Sequence, residues 1–170
     1  MNALIPQDKP ALSAHELYRF LSTAADPAMV WPRFAHWLLV DPADGVLRFV
    51  TAASPQMAIW AVADLYSRWI AGQKPKRKEW VAVTVIVASF GTDLAPVGNL
   101  TYVALAAAAA ASDAEADPSG NGRAMAAYYA ARAPIHAARA ARANDVAAEA
   151  AARKRQAEKL WELTETEAAA

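Results

Sequence analysis

Apolar positions along this chain recur mainly at helical spacing. The clearest stretch is 56–71, where Ile59, Val62, Ala63, Tyr66 and Ile70 share one face and Gly72 is placed to end it. Leu17, Phe20 and Leu21 give a shorter stripe after Ser13, and Ser13 with Glu16 has capping-box spacing, so a helix is expected to start there. Residues 80–90 read WVAVTVIVASF, apolar without alternation. The valines and isoleucine favour a strand. The length and the absence of alternation fit a fully buried helix. Helix is the better reading, because a lone strand would have no partner elsewhere in the chain.

Proline marks the starts. Asp26-Pro27, Asp41-Pro42 and Ser54-Pro55 each place a capping residue before a proline, which predicts short stacked helices. Trp31-Pro32 is expected to break or kink the segment that resumes as RFAHWLLV. Asn99 is expected to cap a helix over 100–114. DPSGNG at 117–122 is a loop, and Asn121 then caps a long helix reaching 163, kinked at Pro134. A tail at 164–170 should fray. The fold class expected is all-α: one domain, with a Trp-rich helical core at 11–98 and an alanine-rich helical hairpin at 99–163.

The long helix has two unlike sides. At about 100° per residue, Ala126, Ala130, Ala133, Ala137 and Ala141 align on one of them. Met125, Tyr128, Tyr129, Arg132, Ile135, His136, Arg139 and Arg142 take the other. Alanine lets another backbone come close but contributes little area. The bulky core should therefore lie in the first two thirds, where every tryptophan except Trp161 falls between Trp31 and Trp80, with a thinner alanine layer after Leu100.

Charge narrows the classes of function. The 170 residues carry 17 basic and 17 acidic side chains, a formal net charge of zero, which disfavours generic nucleic-acid binding. No cysteine is present, which removes disulfide and thiolate chemistry and fits a reducing compartment. The first residues lack a basic start followed by an apolar core, and no stretch is apolar enough for a spanning helix. A cytoplasmic protein with no membrane association is expected.

Catalytic patterns are lacking. His15, His36 and His136 are scattered with no metal-ligand spacing. Asp113, Glu115 and Asp117 resemble the opening of a calcium loop, but Ala124 stands where its closing glutamate belongs. No nucleotide, nucleophile-elbow or zinc-protease motif occurs. No enzyme, cofactor or metal is therefore expected. Partner-binding candidates are Tyr128, Tyr129, Arg132, Arg139 and Arg142, tyrosine and arginine being hot-spot residue types. Lys74, Lys76, Arg77 and Lys78 form a second, basic patch, with a solvated loop as the plainer reading. The plainer reading of the helix is that Tyr128 and Ile135 fill the core while the arginines keep their heads in water. Glu149 and Arg153 make an i,i+4 pair suited to an exposed helix.

The order of WPRFAHWLL, then AIWAVADLYSRWIAG, then an alanine tract interrupted by tyrosines and arginines resembles the alanine-rich immunity proteins of bacterial conflict loci and phage genomes. The likeness spans residues 31–163, and the arginine-rich tract, Pro134 and the absence of cysteine depart from it. The resemblance implies a small α-helical protein that binds and blocks another protein, and the expectation is that the target is a toxin or a bacterial defence complex. Two other readings stay open: a helical scaffold subunit of a virion-like assembly, with the alanine face as a homo-oligomer seam, and a nucleic-acid-binding accessory protein.

Overall fold

The computed structural model describes residues 29–90, 97–116, 132–133, 136–137 and 146–168. The expected starts at Ser13 and Asp26, the loop at 117–122 and Pro134 lie outside them. The described residues form five α-helices and no strand. These are α1 (Val30–Val40), α2 (Ala53–Ile70), α3 (Arg77–Ala88), α4 (Val97–Ala116) and α5 (Val146–Ala168). The chain is all-α, and residues 80–88 are helix rather than strand.

Local chemistry sets the boundaries. Pro32 does not break α1, because it occupies the first turn, where its missing N–H has no helical carbonyl to meet. Asp41 ends α1 instead of starting a helix. Its Oδ1 accepts the backbone N–H groups of Ala43 and Asp44, each at 2.9 Å, and this turn leads into a 3-10 segment, Val46–Phe49. Gly45 completes the turn, and a Cβ there would collide with the Asp41 backbone. α2 begins at Ala53, with Pro55 in its first turn, so Ser54 is inside the helix rather than its cap. It ends as expected on Gly72, with φ at +84°. The Gly72 N–H meets the Trp69 carbonyl and the Gln73 N–H meets the Arg68 carbonyl, the two bonds of a Schellman motif. Asn99 lies in the first turn of α4 rather than capping it.

Successive helices α1 to α4 pack as neighbours, α2 also touches α4, and α5 returns to α1. Their buried residues form one continuous core. Trp31, Phe34, Leu38 and Leu39 of α1 pack with Ile59, Val62 and Tyr66 of α2, and Trp80, Val83 and Val87 of α3 join the same core. The rings interlock: Tyr66 lies 4.8 Å from Trp80, and Trp31 meets Tyr66 edge-on at 6.3 Å. Buried polar bonds pin three helices together. Trp31 Nε1–H donates to the Tyr66 hydroxyl at 3.0 Å, which donates to the Ala107 carbonyl of α4 at 2.7 Å. Burial drives the Tyr66 phenol far above its ordinary titration range, against a smaller downward pull from Trp31. It therefore stays protonated and able to donate.

The alanine layer expected after Leu100 is part of the main core rather than a layer beside it. Ala104, Ala106, Ala107 and Ala108 are completely buried inside the same core. Their small size lets α4 come close to α3, its most extensive neighbour. The first half of the hairpin's expected second arm lies largely outside the described residues; its described part meets Tyr102 of α4 through Arg132 and His136, while α5 packs mainly against α1. Leu160 and Leu163 enter the core, and Arg155 pairs with Asp44 of the turn after α1. The helix also continues to Ala168 instead of fraying from Thr164, whose hydroxyl donates back to the Leu160 carbonyl. Glu149 and Arg153 form the anticipated pair at 2.7 Å, though half-buried.

Candidate protein-binding surface

α3 carries two apolar stripes. Trp80, Val83 and Val87 follow i, i+3, i+7 and are buried. Lys78, Val81, Ala82, Val85 and Ile86 follow i, i+3, i+4, i+7, i+8 and are exposed. Val81 is 42% exposed, Val85 64% and Ile86 47%. The expectation that this segment is fully buried is therefore half right. Its inner stripe completes the core, and its outer stripe gives the helix a second apolar face with no described helix upon it.

The basic patch adjoins this outer stripe. Lys74 and Lys76 belong to the loop after α2, whereas Arg77 and Lys78 are the first residues of α3, not loop residues. All four are exposed. Cations are disfavoured at a helix N-terminus, by about 0.3–1 kcal/mol each. Glu79 offsets part of that cost. Its carboxylate accepts the Lys76 backbone N–H at 2.9 Å and pairs with Arg68 of α2 at 2.8 Å. The backbone bond first, and Arg68 second, hold this carboxyl below the ordinary glutamate range. Lys74 lies over the Trp69 ring at 5.3 Å. Arg77 acts on Asp113 near the end of α4, whose carboxyl burial nonetheless pushes up. Lys78 has no ion pair among the described residues and sits one turn before Val81.

The bulky face of the alanine tract is described only in part. Arg132, Ala133, His136 and Ala137 are helical. Ala133 and Ala137 are buried, while Arg132 is exposed and His136 half-exposed. Small residues point inward and large ones outward, as their spacing predicts. Tyr102 of α4, which sequence reasoning passed over, meets both. Its ring centre lies 4.1 Å from that of His136, and its hydroxyl accepts a long bond from Arg132 Nη1 at 3.4 Å. Tyr128, Tyr129, Arg139 and Arg142 lie outside the described residues, so the structure brings together only Arg132 from that set.

Elsewhere, Met57 and Trp60 are exposed one turn apart on α2. A cleft among Asp44, Arg48, Arg155 and Gln156 has a volume of about 10 Å3, room for about one water. Among the described residues no three His, Asp or Glu side chains gather as metal ligands, and no helix is long and apolar enough to cross a membrane. The outer valines were missed because one apolar run was assigned a single buried role. The signal was present: two separate helical stripes in the same twelve residues. No family model, curated protein or solved structure matches the chain.

Proposed function

We propose that this protein is a non-enzymatic protein-binding inhibitor of the immunity type, carried by a phage or mobile element and blocking a toxin or a bacterial defence complex. One observation carries the reading: an exposed aliphatic stripe, Val81, Val85 and Ile86, continues directly from the cations Lys74, Lys76, Arg77 and Lys78. Apolar surface rimmed by one sign of charge is the composition of a protein interface. Arg132, with Tyr128, Tyr129, Arg139 and Arg142 on the same helix face by spacing, supplies a second contact region. The resemblance to alanine-rich immunity proteins supports the same role.

The scaffold reading has less support. It needs the alanine face as a seam between copies, and Ala133 and Ala137 are already buried within one chain. The test is capture of a partner from bacterial lysate at equal stoichiometry, followed by reconstitution from purified components. Loss of the partner's toxic or defensive activity on adding this protein is expected. A stoichiometric partner whose activity is unchanged would refute inhibition. The absence of any such partner would refute binding.

A further inference from the structure

We infer that the outer face of α3 docks an amphipathic helix of a partner protein, one with an aliphatic stripe and acidic residues gathered at one end. The inference rests on the reading above and names the chemistry that this surface recognises. Lys78, Val81, Ala82, Val85 and Ile86 form a straight apolar ridge with a cation at its head. The spacing is that of a helix prepared to pack against another helix. The aliphatic side chains are short and β-branched, suited to interdigitating with leucine or isoleucine.

Charge sets the orientation and the partner. Glu79 is the acid of the first turn of α3, and Arg68 already neutralises it. The head of the ridge therefore presents the positive charge of Lys76, Arg77 and Lys78, with Lys74 close by over Trp69. No charged residue follows Glu79 in α3, so the rest of the ridge is neutral. A partner helix with acids at one end satisfies both halves at once. An anionic membrane suits it less well. A helix lying in a lipid surface carries cations along both flanks and aromatic residues on its buried side, whereas these cations are gathered at one end and the ridge is aliphatic. A second copy of this chain would bring the same apolar ridge without the acids.

The test uses the full chain and synthetic helical peptides. Each peptide has the same leucine stripe, and one end carries glutamates, lysines or glutamines. Fluorescence anisotropy at low salt should rank the glutamate-tipped peptide about tenfold tighter than the lysine-tipped one, with the gap shrinking as salt rises. Lys78→Glu should narrow the gap, and the combined change Lys76→Glu, Arg77→Glu, Lys78→Glu should reverse the order. Val85→Asp should abolish binding of all three while leaving the circular dichroism and melting temperature unchanged, since this side chain projects into solvent. Absence of peptide binding, or binding indifferent to the tip, overturns the inference. So does binding to phosphatidylserine vesicles that Val85→Asp removes when no peptide preference exists. Self-association removed by the same variant would assign the face to a second copy. A lysate partner retained in full by Val85→Asp would defeat this face and leave the binding reading intact. Tip-dependent peptide binding with no cellular partner would do the reverse.

Discussion

The Trp-rich helices and the alanine-rich helix share one core but build it by opposite means. α1, α2 and α3 contribute large rings and branched aliphatics that cover much area and interlock at 4.8–6.3 Å. α4 contributes mainly alanine methyl groups beside Val103, and they let it come so near that its own backbone carbonyl at Ala107 takes part in the central polar chain. One region is held by what its side chains fill, the other by what they leave out. The first should therefore fail when atoms are removed and the second when atoms are added.

Phe34→Ala is the severest break expected. Phe34 is completely buried against Trp37 at 5.7 Å and Trp31 at 6.2 Å. A loss of about 3–5 kcal/mol is expected in urea denaturation, a large part of a domain's stability. On the alanine side the opposite change applies. Ala107→Leu should cost about 1–3 kcal/mol by overpacking. If it is tolerated while Ala107→Gly is severe, the contrast between the two regions fails. Tyr66→Phe comes next, at about 1–3 kcal/mol, because it leaves the buried Trp31 N–H without an acceptor and removes the bond to α4. A smaller loss would mean that the polar chain fixes geometry more than stability.

Acidity is a gentler probe. Burial lowers the His36 pKa, so the unfolded chain binds the proton more readily and stability falls as pH drops below the ordinary value of 6.5. Glu79 adds a second loss as pH falls below 4.5 towards its lowered folded value. Asp113 opposes this, its raised pKa favouring the fold at low pH, so Asp113→Asn should stabilise slightly at neutral pH. Thermal melts of Glu79→Gln and Asp113→Asn across pH 3–8 check the signs. A Glu79→Gln profile as steep as the parent's below 4.5 would remove Glu79 from the account.

Much of this architecture was legible in the chain. The face of α2 could be read because its apolar residues repeat at one period, and Gly72 because only glycine sits easily at positive φ. The proline signals were less informative. A proline in a first turn and one that breaks a helix have the same sequence, and only the position of the turn separates Pro32 and Pro55 from Pro42. The partner of α5 was not legible, since alanine faces fit any close neighbour and carry no address. Leu160, Leu163 and Arg155 chose α1 and its following turn through contacts distant in sequence. The candidate surface was half visible. Its cations were noticed as a run, whereas Val81, Val85 and Ile86 were absorbed into the core by a rule that equates apolar with buried.

The central claim is that the fold uses the inner stripe of α3 and leaves the outer one for a partner. Thermal unfolding of the triple variant Val81→Gln, Val85→Gln, Ile86→Gln tests it most directly, since glutamine keeps the helix propensity. The melting temperature is expected to stay within about 5 °C of the parent. A fall of more than about 10 °C would show that the chain itself depends on that face, and the surface would then not be a binding site.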